Sequence, residues 1–108
     1  MIAKNISLDG KEYVILSRED YDRMARIAKL PPLPEPNEHG EYPAVEYARV
    51  SLARKFILRR EALGISQAEL ARRAGIRAET LCRIESGKVT PTLTSVEKID
   101  RALKKAEA

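Results

Sequence analysis

Histidine and cysteine, two side chains well suited to catalysis and metal binding, occur once each in this 108-residue chain. His39 is the only histidine, and it lies in a proline-rich stretch where a solvated role is expected. Cys82 is the only cysteine, and one thiol can neither close a disulfide within the chain nor supply a zinc site. A role for Cys82 as a redox reporter is the alternative to a plain surface residue. The sequence has no Ser/His/Asp arrangement and no glycine-rich phosphate loop, so we expect no enzyme activity, catalytic residue, metal or cofactor.

A short helix is predicted directly after Ser66. The Ser66 hydroxyl can accept a hydrogen bond from a backbone N–H of the first turn, and Glu69 three residues later would complete a capping box. Gly75 is expected to end the helix, because the residue after a helix often needs a positive φ that glycine adopts without strain. The apolar positions of this helix are spaced to form one buried face, and they are Ala68, Leu70, Ala71 and Ala74.

A second short helix is predicted after Ile76, which we expect to be a buried anchor in the turn. It spans about residues 78–86, buries Leu81 and Ile84, and ends at Gly87. Two short helices joined by a tight turn that contains glycine are typical of a helix-turn-helix motif.

The stretch from about Ala53 to Leu103, roughly half the chain, carries a recognisable family pattern, whose motifs lie between Leu58 and Leu93. It reads LRREALGISQAELARRAGI, then TLCRIESGK, then TPTL, and it resembles the Xre/phage-repressor helix-turn-helix family. The resemblance implies a mainly α fold, a four-to-five-helix domain preceded here by a small β-hairpin–helix module. One departure is Arg77, which stands where the family usually has a Ser or Thr N-cap on the second helix of the motif.

The resemblance implies that this second helix enters the major groove of DNA with its N-terminal residues leading. An arginine can donate two parallel hydrogen bonds to guanine, a glutamate can accept one from cytosine, and an alanine can touch the thymine methyl group. For Arg83, a phosphate contact or an intrahelical pair with Glu79 is the alternative. The implied base contacts are Arg77, Ala78, Glu79 and Arg83.

Other polar residues are implied to hold the DNA backbone or the domain itself. Arg60 and Glu85 correspond to an internal salt bridge of phage repressors, in which a guanidinium fork meets a carboxylate with two hydrogen bonds. Arg72 and Arg73 are expected on a solvated face. The implied phosphate contacts are Ser66, Gln67, Thr80, Lys88 and Thr92.

Residues 1–30 form a separate module in the sequence pattern. Two strands, Lys4 to Leu8 and Glu12 to Leu16, flank the hairpin signal Asp9-Gly10, and Ser17 is expected to cap a helix. A two-stranded hairpin with one helix has too little core to be stable alone. We therefore expect it to pack on a second copy, on the main domain or on a partner. The contact residues predicted are Tyr13, Val14, Ile15, Leu16, Tyr21 and Met24.

The segment GKEYVILSREDYDRM resembles the N-terminus of prokaryotic antitoxins of the Phd/YefM type. In those antitoxins the arrangement builds a dimer, and it recurs ahead of Xre domains that are paired with RelE/ParE-like toxins. The resemblance therefore implies a cognate toxin as partner. A module that serves only dimerisation or folding support is the alternative.

Residues 31–43 hold Pro31, Pro32, Pro34 and Pro36 and are predicted to be a linker. The helix-turn-helix domain then spans residues 44–108. It begins with a helix over about residues 43–62, whose extra first turns would extend the core or offer a dimer surface. A last helix, capped by Thr92 or Thr94, is followed by KKAEA, so the fifth helix of typical family members is expected to be missing or reduced to a frayed tail.

Charge and hydropathy indicate a DNA partner and no membrane. The net charge is +4, divided between −2 in residues 1–44 and +6 in residues 45–108. No run of 18 apolar residues and no signal peptide is present, so we expect a prokaryotic cytoplasmic protein, nucleoid-associated when bound. The predicted function is a homodimeric repressor that binds a palindromic operator, controls its own operon and neutralises a toxin. A stand-alone regulator with a dimerising N-terminal module is the alternative.

Overall fold

The computed structural model describes residues 4–108 of the chain. It divides into two compact units, Met1–Leu30 (the N-terminal unit) and Pro31–Ala108 (the C-terminal unit). Residues 1–3 of the predicted N-terminal module lie outside the described residues. The described part contains five helices and a two-stranded antiparallel hairpin, which confirms the predicted mainly α class with a small hairpin ahead of the helix-turn-helix domain.

The hairpin of the N-terminal unit pairs β1 (Lys4–Leu8) with β2 (Lys11–Ile15). Asp9 and Gly10 both have positive φ, 51° and 75°, as a two-residue type I′ turn requires. The predicted bounds of the second strand, Glu12 to Leu16, were wrong by one residue at each end, since β2 begins at Lys11 and ends at Ile15.

The helix of this unit, α1 (Arg18–Ala28), is capped as predicted. The Ser17 Oγ accepts a hydrogen bond from the Asp20 N–H at 3.0 Å. The residues of α1 and of both strands are exposed or half-buried, and none is buried. The pairing register places Ile6 opposite Tyr13, and strand alternation puts Leu8 and Ile15 on the same face as these two. The unit thus has an apolar face without a closed core.

The C-terminal unit begins with residues 31–43, which contain no helix or strand. A local turn lies within this segment, where the Asn37 Oδ1 accepts the N–H groups of His39 and Glu41, both at 2.9 Å. Four helices follow, and they are α2 (Ala44–Ala62), α3 (Gln67–Ala74), α4 (Ala78–Glu85) and α5 (Leu93–Glu107).

The core of the C-terminal unit lies where these four helices meet. Two sequence expectations for it were wrong: Ala68 is exposed because it lies on the outer side of α3, and Ile76 is half-buried at the core edge. Among the extra first turns of α2, Val50 is buried whereas Val45 is exposed. The largest fully buried side chains are Phe56, Leu70, Leu81, Ile99 and Leu103.

The last helix extends further than the frayed tail expected for KKAEA. Thr92 caps α5, and the helix continues to Glu107. Arg59 of α2 donates to Glu107 at 2.7 and 3.0 Å and to Asp100 at 2.9 Å, so the helix end is tied to α2. The hydrogen bonds that Arg59 donates to Glu107, and next the one that it donates to Asp100, raise the pKa of Arg59.

Candidate nucleic-acid interface

The start of α3 is fixed by the Ser66 cap. The Ser66 Oγ accepts the Glu69 N–H at 3.1 Å, as expected for an N-cap. The reciprocal half of the capping box was predicted wrongly, because the Glu69 carboxylate accepts from Arg72 at 3.0 Å and from Arg73 at 2.8 Å. These hydrogen bonds, that of Arg72 first, lower the pKa of Glu69 to about 2. Arg72 and Arg73 are exposed, and both donate hydrogen bonds to the Glu69 carboxylate.

The turn between α3 and α4 depends on Gly75, which adopts φ 71° and ψ 34°. The Ile76 N–H returns to the Ala71 carbonyl at 3.0 Å and closes the helix end. Arg77 occupies the N-cap of α4 with extended backbone, and its side chain makes no capping hydrogen bond. Its exposed guanidinium is therefore not needed to cap the helix.

Helix α4 separates its side chains into an inner and an outer face. Leu81, Ile84 and Glu85 are buried, and Thr80 is half-buried. The outer face consists of Ala78, Glu79, Cys82 and Arg83, which are all exposed. It contains every α4 residue predicted to contact bases.

Arg83 and Glu79 form no ion pair, so the predicted alternative of an intrahelical pair is not present among the described residues. Within residues 4–108, no salt bridge engages the side chains of Arg77, Arg83 or Lys88 either. Arg83 lies on the outer face of α4, Arg77 is the N-cap residue of this helix, and Lys88 lies in the loop after it. Their side chains are available to an external anion.

Arg60 and Glu85 meet in a bidentate ion pair that joins α2 to the end of α4. The Arg60 Nε and Nη2 donate to the two Glu85 carboxylate oxygens, each at 2.9 Å, and Nη1 donates to the Ile65 carbonyl at 3.0 Å. Glu85 is only 4% exposed. Removing either residue would leave the other charge without its main partner in a site that is largely shielded from solvent.

Gln67, predicted to contact phosphate, is the third member of this network. Its Nε2 donates to the Glu85 Oε1 at 2.8 Å, which fixes the amide at the start of α3. One amide N–H is thereby committed to the protein. The other amide N–H remains for an anion, together with the first-turn backbone N–H groups other than that of Glu69, which Ser66 caps.

The loop after α4 is positioned by an arginine that sequence reasoning missed. The Arg49 Nε donates to the Gly87 carbonyl at 2.8 Å, across 38 residues of sequence. Gly87 has φ 73°, and a Cβ there would lie 3.3 Å from the Val50 Cγ2. The loop carrying exposed Lys88 is therefore held closely against α2.

Thr92 and Ser66, both predicted phosphate contacts, are already engaged as N-caps. The Thr92 Oγ1 accepts from the Ser95 N–H at 3.1 Å and donates to the Ser95 Oγ at 3.0 Å. The side chains of Ser66, Gln67 and Thr92 thus hydrogen-bond within the protein. Lys88, another predicted phosphate contact, has an exposed side chain with no salt bridge among the described residues. Cys82 is exposed on the outer face of α4.

Neither a metal site nor a membrane-spanning helix is found within residues 4–108. No group of three or more His, Cys, Asp or Glu residues is arranged to hold a metal ion in this part of the chain. None of the helices in the same range has the length and apolar character needed to cross a membrane.

Comparison with known proteins identifies the C-terminal helices. Residues 57–108 match the helix-turn-helix family. An uncharacterized HTH-type transcriptional regulator from Methanothermobacter thermautotrophicus is 41% identical over 44 residues, which cover 41% of this chain and 64% of that relative. The chain thus spans less than two thirds of the relative's length. No solved structure is significantly similar to the chain. Residues 57–108, which contain α3 and α4, therefore constitute a helix-turn-helix domain.

Proposed function

We propose that the chain is a DNA-binding transcriptional regulator. The observation that carries this proposal is the outer face of α4, whose side chains are exposed and form no intramolecular ion pair among the described residues. This face includes Arg83, and Arg77 precedes the helix while Lys88 lies in the loop after it. A short helix supported across α2 and α3 can be inserted into the major groove without unfolding any part of the domain.

The two classes of contact divide between the helix face and its surroundings. Arg83, Glu79 and Ala78 read base edges, and Arg77 reaches the adjoining base or phosphate. Thr80 and Lys88 contact phosphate, as do the first-turn residues Ser66 and Gln67 and the loop residue Thr92. Because Glu85 fixes the Gln67 amide, Gln67 presents one N–H in a defined direction.

The DNA site that suits this protein is a palindrome bound by a homodimer. Two copies related by a two-fold axis would present their α4 helices to major grooves one helical turn, roughly 34 Å, apart. An operator in the promoter of its own operon would make the protein an autorepressor.

The finer proposal is that the protein is an antitoxin whose N-terminal unit binds a RelE/ParE-like toxin. It is supported by the exposure of Tyr13, Val14, Ile15, Tyr21 and Met24, while Leu16 is half-buried. Large apolar side chains left in solvent mark a surface that another protein covers. The competing interpretation is that this surface only joins two copies of the chain.

The DNA-binding proposal is tested by selecting bound sequences from a random duplex library and measuring their affinity by fluorescence anisotropy. We expect an enriched palindrome whose affinity exceeds that for random duplex by about 10³-fold or more. Equal affinity for all sequences, or no binding at low salt, would contradict the proposal.

The antitoxin proposal is tested separately, by expressing the adjacent reading frame alone and together with this chain. Growth arrest that this chain relieves, with a stoichiometric complex on purification, is the expected result. Tyr21→Glu should abolish the relief, whereas Val45→Glu, an exposed apolar residue of α2, should not. The absence of both arrest and complex would leave the stand-alone regulator.

A further inference from the structure

The C-terminal unit has an apolar groove between α2 and α5, away from the outer face of α4. The groove has a volume of about 450 Å³ and is open to solvent. Phe56 forms its buried floor, while Leu52 and Leu58 of α2 and Val96 of α5 line it. Leu58 is 44% exposed, so a large aliphatic side chain stands in water at the rim. We call this feature the α2–α5 groove.

The two walls of the α2–α5 groove carry charges of opposite sign. Arg59 on α2 and Asp100 on α5 pair with each other at 2.9 Å. Lys55 on α2 and Glu97 on α5 also line the groove and are exposed, but neither has an ion-pair partner among the described residues. The groove therefore offers one unpaired cation on one wall and one unpaired anion on the other.

We propose that a second copy of this chain occupies the α2–α5 groove, with Lys55 of each copy paired to Glu97 of the partner subunit. A two-fold interface brings the same surface together twice, so it must be complementary to itself. An apolar floor with one free charge of each sign on opposite walls meets that requirement, because each ion pair forms twice. Leu58 would be covered in the same contact.

This assignment rests on the proposed function, which needs two copies, and it locates their contact. The residues that line the groove all lie on α2 and α5. The outer face of α4 therefore remains open in the dimer, and each copy keeps its candidate DNA contacts. The exposed apolar side chains of the N-terminal unit are left for a different partner.

Sedimentation velocity on the full chain, from about 1 to about 100 μM, measures the dimer dissociation constant. We expect a wild-type dimer in this range. Leu58→Glu should raise the dissociation constant at least about tenfold, because it places a carboxylate in the apolar contact. Ile15→Glu is the matched control, since Ile15 is a similarly exposed (49%) aliphatic side chain of the N-terminal unit, and it should leave the constant unchanged.

Charge reversal gives a second test that does not depend on the apolar residues. Lys55→Glu and Glu97→Lys each place like charges together twice in the dimer, so each should raise the dissociation constant by about tenfold. The double variant restores opposite charges and should return to within about threefold of wild type. Circular dichroism should show the same helix content in every variant, because both residues are exposed.

Three results would overturn the proposal: a wild-type monomer throughout the range, a dimer broken by Ile15→Glu but not by Leu58→Glu, or a double variant as weak as the single ones. Binding to random-sequence duplex DNA is measured in parallel. A dimer that responds as described but binds no DNA would contradict the proposed function and leave the groove assignment standing. A wild type that binds DNA but stays monomeric would contradict the groove assignment and the proposed homodimer, and would leave the DNA-binding proposal standing.

Discussion

The two units of this chain differ in how far they bury their apolar side chains. In the C-terminal unit, Leu70, Leu81, Ile99 and Leu103 are completely removed from water. In the N-terminal unit, Tyr13, Ile15, Tyr21 and Met24 are about half exposed although their sequence pattern is equally amphipathic. A chain buries its apolar faces wherever it has enough of them to close a core. The difference indicates that the C-terminal unit closes its own core, whereas the N-terminal unit leaves an apolar surface uncovered.

The largest effect is expected where the C-terminal unit buries charge. Glu85→Ala leaves the guanidinium of Arg60 with only the Ile65 carbonyl and removes the acceptor of Gln67. The free energy of unfolding should fall by about 3–5 kcal/mol, as for other broken buried pairs. Urea denaturation followed by circular dichroism measures it. Glu97→Ala, an exposed carboxylate, should stay within about 0.5 kcal/mol of wild type at concentrations where the protein is monomeric.

The contrast between the two units can be tested with a pair of truncations. Leu81→Ala removes a fully buried side chain and should cost about 2–5 kcal/mol of unfolding free energy. Tyr13→Ala removes an exposed side chain of the hairpin and should cost about 0.5 kcal/mol or less in the monomer. Equal losses would mean that the apolar face of the hairpin is covered within a single chain.

Within the C-terminal unit, the outer face of α4 can be compared with its surroundings. Arg83→Ala should lower the preference for the selected operator over random duplex by about 1–3 kcal/mol, since it removes a bidentate contact to a base. Thermal unfolding should not change, because Arg83 has no ion pair among the described residues. Arg101→Ala, an exposed arginine on α5, is the control. An unchanged specificity ratio would remove Arg83 from the base contacts.

Lys88 should behave differently from Arg83, because a phosphate contact carries no sequence information. Lys88→Ala should weaken binding to operator and random duplex by the same factor. It should also reduce the slope of log affinity against log salt by about one. Anisotropy titrations at several salt concentrations measure both quantities, and an unaltered slope would place Lys88 away from the phosphates.

The parts of the fold that the sequence predicted are those that depend on local chemistry. Ser17, Ser66 and Thr92 cap helices and Gly75 ends one, because each effect acts within a few residues of the chain. Periodicity likewise located the buried Leu81 and Ile84 of α4.

What the sequence did not predict depends on distant partners. The Arg49–Gly87 and Arg59–Glu107 contacts join residues 38 and 48 positions apart, and no local pattern indicates such pairs. The pairing of Arg60 with Glu85 was inferred from the resemblance to phage repressors rather than from spacing. The spacing of Glu69 fits a capping box, but in the structure its carboxylate accepts hydrogen bonds from Arg72 and Arg73 instead.

The ion pairs of Glu69 with Arg72 and Arg73 should have the smallest effect on the free energy of unfolding, and this effect should depend on pH. Arg72 and Arg73 lower the pKa of Glu69 in the folded protein from the usual 4.5 to about 2. A carboxylate with a lowered folded pKa stabilises the protein above its unfolded pKa, and that stabilisation is lost as the pH falls through the folded value. Wild type should therefore be slightly more stable than Glu69→Gln above pH 4.5, and the difference should disappear between pH 4.5 and about 2.

Salt should reduce the same difference in stability between wild type and Glu69→Gln, since exposed ion pairs are screened. Urea denaturation across this range, with Glu61→Gln as an exposed control, measures it. A difference that stays constant as the pH falls would mean that Glu69 does not stabilise the protein through the charge of its carboxylate.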